Sequence, residues 1–263
     1  MRIATWNVNS LRTRLHQVLR WWDEHPDLSV LCLQETKVPD PDFPIAPFAE
    51  RGLAIAYSGQ KSYNGVALIA RFPLTQIQIG LGQDPWDDQK RAIAAVCEGI
   101  RIVNVYVPNG GDLDSDKYPY KLGWLQALQG FLQHQRTQPE PCLVCGDFNI
   151  APEPRDLHNP DYGGIGASPA ERLALQQLQA LGFGDAFRQR TAAAGHYSWW
   201  DYRQAAFRRN HGWRIDHIYL DDTLSDRLLA CEMDGAPRHW PQPSDHIPVW
   251  AELQDGENGA ERS

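Results

Sequence analysis

The stretch Cys142-Leu143-Val144-Cys145-Gly146-Asp147-Phe148-Asn149 is an apolar strand that runs straight into two polar side chains. Asp147 and Asn149 are two apart, so an extended backbone puts both on one face. The same arrangement recurs along the chain. Arg2–Asn7 reads as a strand ending on Asn7, Leu28–Gln34 as one ending at Glu35, and Ile100–Val107 as one followed by Asn109. Asp216 lies inside the start of the late strand Ile215–Leu220, and His246 directly precedes Ile247–Leu253. One such residue means little, because turns favour Asp and Asn. Several strands that end this way, with an Asp-His pair besides, point to a sheet rim presenting side chains to a cleft.

The remaining elements fit between these strands. Gly65–Phe72 and Ala92–Glu98 are further apolar strands, and Glu98-Gly99 makes a tight turn into the next. Leu11, Leu15, Val18, Leu19 and Trp22 recur at helical spacing, with Asn9 or Ser10 to cap the start and Pro26 to enforce the end. Tyr120–Gln135 carries Leu122, Leu125, Leu128 and Leu132 on one helical face. Ser168-Pro169-Ala170-Glu171 is a capping box that opens a helix ended by Gly182. Strands joined by turns, with a few helices between them, predict a mixed α/β domain of packed sheets with helices outside. Periodicity does not supply the strand order. With no repeat, low-complexity tract or long linker, residues 1–253 are expected to form a single domain. The Gly- and charge-rich segment 254–263 is expected to be a flexible acidic tail.

The chain's 263 residues suffice for one full core, and 42% hydrophobic with 22% charged residues is ordinary globular composition. No apolar run approaches the roughly 20 residues of a bilayer span. The N-terminus lacks an apolar targeting region, so a cytoplasmic location and no membrane partner are expected. Five cysteines read as reduced core thiols, and the Cys142/Cys145 pair would face opposite ways on a strand. A net charge of −8 argues mildly against a non-specific polyanion binder, but local distribution controls such contacts. From Arg188 to Arg214 six arginines face a single aspartate, Asp201. The same segment holds Tyr197, Trp199, Trp200, Tyr202, Phe207 and Trp213, an interleaving suited to stacking on or wedging into a nucleic-acid helix. Filling of the core beneath a loop is the plainer alternative.

Each polar residue has a chemical reading and a plainer one. A carboxylate after a buried strand, as at Glu35, is costly unless paired, metal-bound or quickly solvated. Magnesium suits it, because that ion takes one or two carboxylates, keeps waters and uses substrate phosphate for the rest. Asp147 has the placement of a general base for a water, with Asn149 to donate to phosphate or orient it, although an Asx turn also explains the pair. His246 would steady charge on a phosphoryl transition state if a carboxylate fixed its tautomer, and Asp216 is suitable. His211 and His217 compete with His246 for that role. Tyr106 has a hydroxyl for a phosphate oxygen, but a strand tyrosine is often simply packed.

Together these strings resemble the exonuclease III family of the endonuclease/exonuclease/phosphatase superfamily, which includes abasic-site endonucleases. The matching segments are Trp6–Arg12, Leu33–Lys37, Tyr106–Gly110, Gly146–Asn149, Gly212–Asp216 and Ser244–Val249, in family order across nearly the whole chain. The resemblance implies a four-layer α/β sandwich of two mixed sheets flanked by helices. It implies Mg2+, or Mn2+ as a substitute, bound by Glu35 with Asn7 and Asp245. Asp147, Asn149, Asn109, Tyr106 and His246 with Asp216 would be catalytic. Asn9, Arg12, Lys37 and Lys121 would bind substrate, beside an abasic-sugar pocket of Trp199, Trp213 and Ile215. The implied partner is double-stranded DNA with abasic sites or 3′ ends, acted on by a monomer and left with a 3′-hydroxyl. Trp199 is a bulkier wall than the phenylalanine of some relatives. The loop carrying Asp112, Asp114 and Asp116 places like charge where the family touches DNA. The rivals are a phosphatase or lipid phosphodiesterase with the same metal chemistry, and a non-catalytic DNA-binding protein on this fold.

Overall fold

A computed structural model describes residues 1–256. In chain order the strands are β1 (Arg2–Asn7), β2 (Leu28–Gln34), β3 (Ala54–Ser58), β4 (Val66–Ala70), β5 (Thr75–Ile79) and β6 (Ala92–Cys97). They continue as β7 (Ile100–Tyr106), β8 (Cys142–Asp147), β9 (Gly184–Asp185), β10 (Asp216–Leu220), β11 (Leu228–Met233) and β12 (Val249–Leu253). Two six-stranded sheets result, ordered β11-β12-β1-β2-β4-β3 and β5-β6-β7-β8-β10-β9. Both are mixed: β1 runs parallel to β2 and β7 parallel to β8, and the remaining pairs are antiparallel.

The alternation of side chains along each strand explains the layering. On β8, Leu143 and Cys145 enter the core between the sheets, against Val30, Cys32 and Val249. Cys142 and Val144 face the other way, under α3 (Lys117–Gln135) and α4 (Pro169–Ala180), where Trp124, Leu128 and Leu175 pack. On the far side, α1 (Leu11–Glu24) lays Leu11, Val18 and Trp22 over Trp6, Leu31 and Leu33. Three short helices, α2 (Ala46–Ala49), α5 (Ala186–Arg190) and α6 (Asp222–Asp226), close the edges. The result is the expected helix–sheet–sheet–helix sandwich. All five cysteines are buried and free, with Cys142 and Cys145 on opposite faces.

Local chemistry sets the boundaries. Ser10 caps α1, and Ser168 with Glu171 forms the reciprocal capping box of α4. Glu98 and Gly99 both take positive φ, 47° and 73°, in the two-residue turn of the β6–β7 hairpin. Strands β3, β5, β9 and β11 are absent from the sequence reading. β5 is a sheet edge with Ile77 and Ile79 half exposed, so its pattern is neither buried nor cleanly alternating. The first residues of the expected tail are anchored: Met1 NH3⁺ pairs with Asp255 at 3.0 Å, and Arg227 Nε donates to Gln254 O at 2.9 Å. The rest of that segment, 257–263, lies outside the described residues.

Candidate active site

The strand ends quoted above converge at one rim shared by both sheets. Asn7, at the end of β1, is fully buried and donates through Nδ2 to Glu35 Oε1 at 2.9 Å and Asp147 Oδ2 at 2.8 Å. One amide therefore joins the first sheet to the second. Glu35 and Asn149 sit in the left-handed region, with φ of 50° and 52°. Non-glycine residues seldom hold that conformation, and it concentrates at functional sites. Asp147 Oδ1 accepts from the Asn149 backbone N–H at 2.8 Å. The Asn149 side chain donates to Val107 O at 3.0 Å and accepts from Asn109 Nδ2 at 3.1 Å.

His246 stands between two carboxylates. Its Nδ1 is 2.8 Å from Asp216 Oδ2, and its Nε2 is 3.7 Å from Asp147 Oδ2. An ionised carboxylate only accepts, so Nδ1 carries a proton. Burial alone would lower the imidazole, but Asp216 and Asp147 outweigh it and raise it to about 10. Burial pushes Asp147 up to about 7 against the pull of His246. Burial, with Glu35 and Asp147 alongside, holds Tyr106 well above the usual phenol range, so it stays protonated and is a donor. The competing histidines are placed elsewhere. His217 is buried against Ile150 O and Arg214, with burial first and Arg214 next lowering it to about 4, and it serves as a neutral core group. His211 is on the surface, stacked on His158.

A cleft of about 290 Å³ joins this cluster to an apolar wall. It is lined by Glu35, Tyr106, Asn109, Asp147, Asn149, Asp245 and His246 together with Trp199, Trp213, Ile215, Ile165 and Gly166. Trp199 and Trp213 meet edge to face at 5.6 Å. Sequence reasoning missed Ile165 and Gly166, since nothing in a glycine-rich loop says which cleft it borders. It also missed Ser198, whose Oγ accepts from the Ile215 and Asp216 N–H groups at 3.1 and 3.0 Å, and Ser244, whose Oγ donates to Asn7 O at 2.7 Å.

Glu35, Asp147 and His246 each offer a ligand atom within 4.8 Å of the others. Glu35 and Asp147 offer hard oxygen donors there, with Lys37 and the His246 imidazolium against them, which fits a divalent cation of the magnesium type. Asp245 is outside that group. Its oxygens accept from Asn9 Nδ2 and Trp199 Nε1, each at 3.0 Å, and these bonds together with His246 keep its carboxyl below the usual range despite burial.

Three cationic expectations change. Lys121 is fully buried, paired with Glu171 Oε1 at 2.6 Å, so it does not face substrate. Neither Arg12 nor Lys37 is among the residues lining the cleft: Arg12 pairs with Asp42 on the surface, while Lys37 reaches the site through Glu35, donating to its Oε2 at 2.8 Å and to Asn9 Oδ1 at 2.6 Å. Half of the basic segment's arginines are paired: Arg214 is buried between Asp156 and Asp185, Arg188 also pairs with Asp156, and Arg203 pairs with Asp201. The aromatic run divides too, with Tyr197 and Trp200 in the core and Tyr202 about half exposed.

A four-layer sandwich with carboxylates, asparagines and a carboxylate-held histidine at the common rim of its sheets defines a phosphoesterase-type hydrolase. The chain belongs to the endonuclease/exonuclease/phosphatase family, which it matches over residues 4–246. It is 34% identical to exodeoxyribonuclease III of Haemophilus influenzae over 97% of this chain and 100% of that one. Among solved structures, a 3′ phosphatase from Neisseria bound to a product DNA hairpin is 40% identical with a TM-score of 0.95, covering 97% of this chain and 100% of that one. An AP endonuclease from Archaeoglobus fulgidus is 39% identical with a TM-score of 0.92 over the same shares.

Proposed function

We propose that residues 1–253 act as one catalytic domain, a magnesium-dependent DNA repair phosphodiesterase that hydrolyses the backbone at abasic sites and 3′ termini and leaves a 3′-hydroxyl. The observation that carries this reading is the junction of two halves in one cleft. The Glu35–Asp147–His246 cluster suits a phosphate, and the Trp199–Trp213–Ile215 wall beside it suits a sugar that has lost its base. The relatives' action on DNA favours that substrate over a lipid or a free phosphate ester, and the intact acid–base set favours an enzyme over a binding module. Among the described residues no helix is long and apolar enough to cross a membrane.

In this reading Glu35 holds Mg2+, with Mn2+ as a substitute, and Asn7 orients Glu35 and Asp147 from behind. The bound ion would neutralise charge on the phosphate and leaving oxygens. Asp147 takes the proton of the attacking water, and Asn149 and Asn109 hold that water and the phosphate. Tyr106 donates its hydroxyl proton to a phosphate oxygen, and the His246 imidazolium, held by Asp216, steadies the charge that develops. Lys37 and Asn9 border the phosphate path, and the chain works as a cytoplasmic monomer. One panel of duplexes tests this: an internal abasic site, a 3′-phosphate, a recessed 3′ end and a mismatch, each with and without magnesium. Metal-dependent cleavage of the first two is expected, and no cleavage of any would sink the reading.

A further inference from the structure

The buried pair Lys121–Glu171 is used by none of the chemistry above, yet it touches both halves of the cleft. Both side chains are 0% exposed. Lys121, on α3, spends all three ammonium protons: on Glu171 Oε1 at 2.6 Å, on Asn149 O at 2.8 Å and on Asn109 O at 3.2 Å. Glu171, in the first turn of α4, accepts from the Gly166 N–H at 2.9 Å, the Ser168 N–H at 3.0 Å and the Ser168 hydroxyl at 2.6 Å. Gly166 and Ile165 line the apolar wall.

Packing around the pair leaves little slack. A Cβ on Gly110 would come within 2.7 Å of Ile165 and 3.0 Å of Lys121, and one on Gly166 within 2.9 Å of Trp213 and 3.2 Å of Asn149 O. Both glycines have positive φ, 93° and 80°, so the two loops interlock through backbone that only glycine supplies easily. Buried ion pairs seldom beat a well-packed apolar replacement in stability, so stability alone does not explain this one.

We propose that Lys121 and Glu171 are positioning residues that lock the asparagines of the phosphate side to the loop of the sugar pocket, so that a filled pocket and an aligned phosphate go together. This inference rests on the function proposed above. It also separates two substrates. An internal abasic site puts a sugar on each side of the scissile phosphate and fills the pocket. A 3′-phosphate has nothing beyond the phosphorus and leaves the pocket empty.

The test uses the full chain with Lys121→Met/Glu171→Gln, which leaves no unpaired buried charge and keeps an acceptor for Gly166 and Ser168. With a retained thermal transition, kcat should fall roughly ten-fold or more on both duplexes, because misplacement by a fraction of an ångström at the phosphate is felt by each. KM should rise several-fold on the abasic duplex and stay unchanged on the 3′-phosphate duplex. A folded variant with unchanged kcat on both, or with equal KM increases on both, overturns the proposal. Should the double variant not fold, Lys121→Met alone, in which the Glu171 carboxylate still accepts from Gly166 and Ser168, carries the same expectation, including the KM difference between substrates. If the unmodified protein cleaves neither duplex, the proposed function falls and takes this inference with it. If it cleaves both and the variant matches it, only this inference falls.

Discussion

Asp147 and His246 sit in a corner where the charge of each depends on the other. Burial lifts Asp147 to about 7, and its two carboxylate neighbours hold His246 charged up to about 10. If Asp147 works as an anion and His246 as a cation, the signs are fixed. Activity should rise as pH climbs through about 7 and fall again above about 10, in a bell-shaped profile of kcat/KM on an abasic duplex. A divalent cation favours the ionised carboxylate, so the acid limb should move to lower pH as magnesium is raised. A limb indifferent to magnesium would remove Asp147 from the site of metal action. Asp147→Asn should cost on the order of a thousand-fold in kcat with the fold intact, and a variant within a few-fold of the parent would sink its role as base. At this scale the sequence was informative where a side chain carries charge, as at Glu35 or His246. It was silent on Ser198 and Gly166, because a hydroxyl that braces two N–H groups, or a backbone that borders a cleft, has no signature in one chain.

The two sheets meet the site in register because polar groups tie them together in the middle. Asn104 on β7 donates to Leu33 O on β2 and Ala67 O on β4, each at 2.9 Å, and accepts from Gln34 Nε2 at 2.7 Å. Both side chains are fully buried. Asn104→Ala would orphan those carbonyls and open a void, so it should lower unfolding free energy by about 2–4 kcal/mol in denaturant titration. A loss of a few tenths would show that water replaces the amide without cost. The strands and helices with two-sided burial or clean amphipathic stripes, such as β2, β8 and α1, were legible from spacing alone. The sheet edges β3 and β5 were not, and neither was the parallel pairing of β1 with β2. Pairing is decided by packing across the molecule, and no local pattern records it.

Over the whole molecule the charge balance of −8 opposes approach to DNA, and folding sharpens that problem. Arg188 and Arg214 are consumed by Asp156 and Asp185, and Arg203 pairs with Asp201, so Arg190, Arg208 and Arg209 are the segment's remaining exposed cations. The acidic loop lies at the working face. Gly111 and Lys117, which flank Asp112, Asp114 and Asp116, line a second cleft of about 380 Å³ that shares Asn109 with the active site. DNA laid across that cleft brings phosphates toward three exposed carboxylates. Converting all three to asparagine should therefore lower KM for an abasic duplex roughly three- to ten-fold at about 50 mM salt, with kcat unchanged. Screening shortens the reach of such charges to about 3 Å at 1 M salt, so the gain should shrink steadily as salt is added. A gain that persisted at high salt would mean a direct contact had been made. No gain at low salt would mean the loop turns away when DNA binds, and the duplex would then be held by the cleft's own Arg91 and Lys117.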